Sequence, residues 1–144
     1  MTVQDILDAK GNQVFAVDPE STLHAAVSLM VDQNVGSLLV VDREGALVGI
    51  ITERDVLRES RDRFEQMRTT RVEEVMSRRL LTGTPEESIE DVQRTMLEHR
   101  IRHLPVLVRG RLVGLVSIGD VNKILLDVRE VENHGLREYI GGYH

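Results

Sequence analysis

The chain has 144 residues, is 41% apolar and carries a formal net charge of −6. That is enough apolar material to bury a core as one compact domain, and the acidic balance excludes the domain-wide basic footprint of a general nucleic-acid binder. Cysteine is absent, which excludes a disulfide framework, a thiolate metal site and a cysteine nucleophile.

The opening stretch MTVQDILDAKGNQ has neither the basic start nor the apolar core of a signal peptide. No apolar run approaches the ~20 residues needed to cross a bilayer. A cytoplasmic protein is expected, with no membrane contact. Ile6-Leu7 forms an apolar stub, followed by an irregular segment through Asn12-Gln13-Val14-Phe15. Asp18-Pro19-Glu20-Ser21 places a capping residue ahead of a proline expected at the first helical position. Leu23, Ala26, Val27, Met30 and Val31 then recur on one helical face, which is expected to be core. SLLVVD (37–42) and LVGIIT (47–52) read as strands joined at REG. The heptapeptide GIITERD (49–55) closes this hairpin, and VLRESRDRF resumes helical spacing. The mixed-charge stretch RESRDRFEQMRTTRVEE reads as a solvated helix and linker.

The same order then returns. Val75-Met76 is a second apolar stub, Arg79-Leu80-Leu81 a second irregular segment, and Thr84-Pro85-Glu86-Glu87 a second Pro-led helix start in which Thr84 and Glu87 fit a capping box. Ile89, Val92, Met96 and Leu97 mark the next core face. HLPVLV (103–108) and LVGLVS (112–117) form the second hairpin, and GLVSIGD (114–120) answers GIITERD. Pro105 has no backbone donor, so its strand is expected at an edge or with late pairing. Gly114 minus Gly49 is 65 and Pro85 minus Pro19 is 66, so one residue is lost between these landmarks, most economically in the hairpin. A period this long exceeds solenoid repeats and reads as a tandem pair of β-α-β-β-α units, an α/β (α+β) chain.

The repeated turn carries the chemistry. A strand ending in Thr52 or Ser117 leads into a helix whose first turn presents unpaired N–H groups, a natural seat for an anion. The hydroxyl can donate to a phosphate, and the carboxylate of Asp55 or Asp120 can accept both hydroxyls of a ribose. Gly49 and Gly114 would admit a backbone or a flat ring at close range. The alternative is architectural: the aspartates serve as helix caps and the glycines as turn residues.

With GIITERD, GLVSIGD, RIRHLPVL and the two Pro-led helices in order, the sequence resembles the CBS-domain family from about Val3 to Leu126, and in particular its small stand-alone bacterial CBS pairs. The resemblance implies CBS motif 1 over residues 1–62, CBS motif 2 over 63–128 and a helical tail over 129–144, in one pseudo-twofold Bateman module. In such a module two packed sheets are flanked by helices. It also implies two adenosine-nucleotide sites, each drawing on both copies. One would join Ile50, Thr52, Arg54 and Asp55 to Arg79-Leu80-Leu81 and to Ile101, Arg102, His103 and Pro105. The other would join Leu115, Ser117, Gly119 and Asp120 to Asn12, Gln13, Val14 and Phe15 and to Val35, Gly36 and Ser37. The first gathers arginines suited to a di- or triphosphate, whereas Lys10 is the one candidate cation of the second. Phosphorylated ligands are therefore expected at the first, and a weaker, more neutral or vacant pocket at the second.

Each residue has a plainer reading. Arg54 and Arg79 are also consistent with solvated surface arginines, and Phe15 with packing as well as stacking on adenine. His99 and His103 are four apart, but His103 opens a strand, so no metal site is expected. The acidic run PEESIED suits a helix N-terminus. No phosphate-binding loop, dinucleotide fingerprint, zinc-protease or hydrolase-elbow motif is present, and Thr52 and Ser117 lack activating partners.

The expected function is an adenosine-nucleotide sensor (AMP, ADP, ATP, NAD or a related adenosyl compound) with no required cofactor, acting on a separate client protein. The alternatives are a nucleotide hydrolase using the same cleft and a ligand-free structural interaction protein. The resemblance also implies a homodimer, for which Val121, Ile124, Leu125 and Val128, then Val131, Leu136 and Ile140, offer an apolar stripe.

Overall fold

The computed structural model describes the backbone of residues 1–139 and the side-chain surroundings of residues 1–132. Leu136 and Ile140 of the proposed stripe therefore lie outside the described side chains. The described elements are α1 (Val3–Lys10), β1 (Ala16–Val17), α2 (Leu23–Gln33), β2 (Ser37–Val41), β3 (Leu47–Thr52), α3 (Glu53–Arg63), α4 (Ile89–His99), β4 (His103–Val108), β5 (Arg111–Ser117) and α5 (Ile118–Tyr139), with short 3₁₀ turns at Phe64–Gln66 and Val72–Glu74. The fold is mixed α+β with two small sheets, β1-β2-β3 and β4-β5.

The packed units are not the two repeats taken end to end. One unit is Gln13–Leu81, and the other joins Met1–Asn12 to the chain from Thr82 onward. The stub of each copy thus packs on the body of the other copy. In the second-repeat unit, Val3 N–H donates to Glu87 O, Gln4 N–H to Pro85 O, and Ile89 N–H to Met1 O. In the first-repeat unit the same three bonds recur as Val72 to Ser21, Glu73 to Pro19, and Leu23 to Thr70. The stub forms differ because Leu7 to Pro19 spans 12 positions and Met76 to Pro85 spans 9. Copy one has room for the helix α1, where copy two has a single 3₁₀ turn.

Each unit buries its own core. Leu23, Ala26, Met30, Leu38, Val40, Ile51, Val72 and Met76 form one, with Phe15 packed against it. Val3, Ile6, Leu7, Ile89, Val92, Met96, Leu104, Val106, Val116 and Val121 form the other, with Ile124 and Leu125 against it. The apolar residues at the start of α5 are thus partly intramolecular packing. Val31 and Leu97, expected on core faces, are instead 72% and 68% exposed. They occupy matching positions on α2 and α4, one residue past the buried Met30 and Met96 and so about 100° round the helix from them.

The Pro-led segments are turns and not first helical turns. Asp18 Oδ1 accepts from Glu20 N–H and Asp18 O from Ser21 N–H, so the chain bends there before the helix begins. The caps are Thr22, whose Oγ1 accepts from Ala25 N–H, and Ser88, whose Oγ accepts from Asp91 N–H. Thr84 and Glu87 do bond, Thr84 N–H to Glu87 Oε1, but within the turn. A hydroxyl residue directly ahead of the apolar periodicity outranks a Pro three positions earlier.

The hairpins match residue for residue. Ser37 pairs Thr52 as His103 pairs Ser117, and both ladders shift at the same place, at Val40/Val41 and at Val106/Leu107. The lost residue lies in the turn. Asp42 N–H donates to Ala46 O around Arg43-Glu44-Gly45, while Val108 and Arg111 flank only Arg109-Gly110, both at positive φ. Pro105 explains why the first strand of copy two shrinks to a bridge. Leu39 N–H donates to Phe15 O in copy one; at the matching place Pro105 has no N–H, and the edge of β4 keeps only the Gly83–Val106 bridge.

Candidate functional site

Both hydroxyl-x-x-Asp turns fold as capping boxes. Thr52 ends β3 and caps α3: its N–H donates to Asp55 Oδ2 at 2.9 Å, its hydroxyl lies 3.1 Å from the same oxygen, and Asp55 N–H reaches Thr52 Oγ1 at 3.4 Å. Ser117 N–H donates to Asp120 Oδ2 at 2.9 Å, and Asp120 N–H to Ser117 Oγ at 3.0 Å. The hydroxyl residues are therefore the caps, and the aspartates sit in the first turn where the helix dipole favours negative charge. The architectural reading of these residues holds, and it leaves Oδ1 of each aspartate free of any described protein hydrogen bond. One acceptor oxygen is thus held at a fixed place beside a helix N-terminus.

The start of each unit's own hairpin lies beside its turn. Glu53 N–H donates to Gly36 O, and Ile118 N–H donates to Arg102 O. Val35, Gly36 and Ser37 therefore neighbour the Asp55 turn, and Ile101, Arg102 and His103 neighbour the Asp120 turn. Of the residues expected around the first site, Ile50, Thr52, Arg54, Asp55, Arg79, Leu80 and Leu81 belong to the first-repeat unit, and Ile101, Arg102, His103 and Pro105 to the second. Of those expected around the other, Leu115, Ser117, Gly119, Asp120 and Asn12 belong to the second-repeat unit, and Gln13, Val14, Phe15, Val35, Gly36 and Ser37 to the first.

The glycines have a different use from the one expected for a ligand ring. A Cβ on Gly114 would lie 2.6 Å from Leu7 Cδ2, and one on Gly49 would lie 2.5 Å from Met76 Sδ and 2.9 Å from Ser77 O. They admit the stub of the other copy, whose apolar side chain fills the space. A third glycine, Gly36, has the Glu53 carboxyl carbon 3.3 Å from where its Cβ would stand. Glu53 was not singled out in the sequence, and the signal for it lay in the small residue opposite.

The two turns differ in charge. Lys10, at the end of α1, places its Nζ 2.7 Å from Asp120 Oδ2 and 2.9 Å from Leu115 O. Burial pushes the Asp120 carboxyl up, but the hydrogen bonds from Lys10 and Ser117 and the Lys10 charge outweigh it and hold the group below its ordinary value. At the Asp55 turn the carbonyl matching Leu115, that of Ile50, accepts from Ser77 N–H at 2.9 Å. A backbone amide stands where copy one's stub places an ammonium. Asp55 has no cation partner among the described residues, and Arg54 and Arg79 are exposed with no described side-chain bond. His103 is half-buried at the start of β4. Among the described residues no cluster of three or more His, Asp or Glu groups could hold a metal ion.

The family model described as the CBS domain matches residues 3–62 and 72–127. The chain belongs to the CBS-domain family. A mitochondrial CBS domain-containing protein of Arabidopsis thaliana, CBSX3, is 36% identical over 99% of this chain and 73% of its own length. The CBS-domain protein ATU1752 from Agrobacterium tumefaciens superposes with a TM-score of 0.81 at 31% identity, covering 85% of this chain and 91% of that one. The CBS domain pair of protein MJ0100, solved in complex with 5′-methylthioadenosine and S-adenosyl-L-methionine, gives a TM-score of 0.76 at 26% identity over 87% and 95% of the two chains. The two matched CBS segments contain the two capping-box turns at corresponding places, Thr52-Asp55 and Ser117-Asp120. No described helix is long and apolar enough to cross a membrane.

Proposed function

We propose that this CBS pair is a regulatory module that binds an adenosine nucleotide or related adenosyl compound and passes its occupancy to a separate client protein. The observation that carries the reading is the duplicated capping-box turn, which holds a carboxylate oxygen beside a helix N-terminus in each matched CBS segment. Such a pair of groups suits a ribose diol and an adjoining phosphate. The adenosyl compounds bound by the MJ0100 pair, a relative of the same fold, support the ligand class.

In this reading the Asp55 turn takes the phosphorylated ligand. It combines an unpaired carboxylate with Arg54 and Arg79, which have no described partner to give up. The ligand regulates by binding one arrangement of the protein more tightly than another. Two chains associate through exposed apolar side chains on α3, the 3₁₀ turn after it and α5, where Leu57, Phe64, Leu126 and Val131 are 55 to 74% exposed. The reading keeps the protein in the cytoplasm, although the Arabidopsis relative is described as mitochondrial.

Thermal-shift and calorimetric titration with AMP, ADP, ATP, NAD and S-adenosylmethionine tests the proposal. A ligand at about 100 times its dissociation constant stabilises the fold by roughly 2.7 kcal/mol. Absence of any shift or heat with all five ligands overturns it. Light scattering tests the dimer, and a monomer at working concentration rejects that part.

A further inference from the structure

The two capping boxes are built alike, yet among the described residues only one has a cation on the carboxylate. Lys10 reaches both Asp120 Oδ2 and Leu115 O, so its ammonium bridges the turn and the strand before it. It can do so because copy one has three more residues between stub and proline than copy two, enough to complete α1 and carry Lys10 to the turn. In copy two the shorter connection brings Ser77 N–H to the matching carbonyl of Ile50. Among the described residues Asp55 keeps only the hydrogen bonds of its own capping box.

We propose that Lys10 is an internal occupant that closes the Asp120 turn to ligand, so that the protein binds one nucleotide per chain, at the Asp55 turn, despite carrying two copies of the motif. The inference rests on the nucleotide-binding reading above and adds the residue that makes the two turns unequal. The physical argument is competition. A ribose diol that engages both oxygens of Asp120 must displace the ammonium 2.7 Å from Oδ2, exchanging a hydrogen bond between two charged groups for one in which only the carboxylate is charged. At Asp55 nothing in the described chain has to be displaced. The Lys10 and Asp120 side chains are 36% and 25% exposed, so the pair is reachable by solvent and can be opened without disturbing the core. Lys10 acts on the ligand through Asp120 and is a gate rather than a contact residue.

Removing the ammonium should open the second turn. ATP and AMP are titrated calorimetrically into wild type, Lys10→Met, Lys10→Arg and the double variant Lys10→Met with Asp120→Asn, each checked by thermal melting. The expected result is one equivalent per chain for wild type and Lys10→Arg, two for Lys10→Met, and a return to one in the double variant. Two equivalents in wild type, or one in both wild type and Lys10→Met, overturns the gate while leaving the nucleotide-binding reading intact. No binding of either ligand to any of the four proteins overturns both. A carboxyl titration by NMR gives a ligand-free readout. The Asp120 carboxyl should move up toward its ordinary value in Lys10→Met, and an unmoved value contradicts the pairing on which the gate depends.

Discussion

Leu7 fills the space above Gly114, its Cδ2 2.6 Å from where a Cβ would stand, although 107 positions separate them. Met76 does the same at Gly49. Each glycine of the repeated turn therefore records a stub borrowed from the other copy, and each unit is completed by a segment outside its own repeat.

This makes the amino-terminal stub a structural part of the second repeat. Leu7 is 2% exposed and belongs to the core with Ile89, Val92 and Leu104. Leu7→Ala should cost about 2–5 kcal/mol, read from urea unfolding, and amide exchange should rise in β4 and β5 before it rises in β2 and β3. Equal loss of protection in both sheets would contradict the assignment of α1 to the second-repeat unit.

The two glycines should respond unequally to a methyl group. At Gly114 the obstacle is a leucine methyl, which can swing; at Gly49 it is Met76 Sδ together with the backbone oxygen of Ser77, which cannot. Overpacking costs about 1–3 kcal/mol. Gly49→Ala should fall at the upper end and Gly114→Ala at the lower, measured by chemical denaturation of the two variants side by side. The reverse order would show that the Leu7 packing is the stiffer of the two.

The Lys10–Asp120 pair has a pH signature. The folded-state Asp120 carboxyl lies below its unfolded value, so its stabilisation is fully present above the unfolded value of about 3.9 and is lost as pH falls through the lower folded one. Both partners are partly exposed, and such pairs contribute about 1 kcal/mol or less. Lys10→Met should therefore be slightly less stable than wild type at pH 7, with the difference shrinking toward zero in strong acid. A difference that persists below pH 2 would assign the effect to packing.

Much of the fold was legible because the sequence states it twice. The strands SLLVVD, LVGIIT, HLPVLV and LVGLVS match β2 to β5 within a residue or two, and the one-residue deletion, which the offsets confine between the prolines and the glycines, falls in the hairpin turn as expected. The helix starts were misplaced because Pro19 and Pro85 look like first helical residues, whereas Thr22 and Ser88, directly before the apolar faces, make the capping bonds. The exposure of Val31 and Leu97 was missed because the apolar stripe was drawn too wide: the buried face runs through Met30 and Met96, and the next residue points about 100° away from it.

The candidate site was legible in part. The repeat located both turns and their aspartates. The stub exchange was not, since it is a long-range pairing with no local signature beyond two glycines opposite two apolar residues. For the same reason Lys10 was read only as a candidate cation. Its bond to Asp120 spans 110 positions and depends on three extra residues that extend α1.

The central claim, that an adenosyl ligand is held at the Asp55 turn, is tested most directly by calorimetric titration of wild type and Asp55→Asn with the tightest ligand found. Asparagine keeps an oxygen to accept the Thr52 N–H, so the cap survives while the charge is removed. The account predicts a melting temperature without ligand that is only slightly lower, for the lost charge at the helix N-terminus, and binding at least about tenfold weaker, roughly 1.4 kcal/mol; equal affinity for wild type and Asp55→Asn would contradict it.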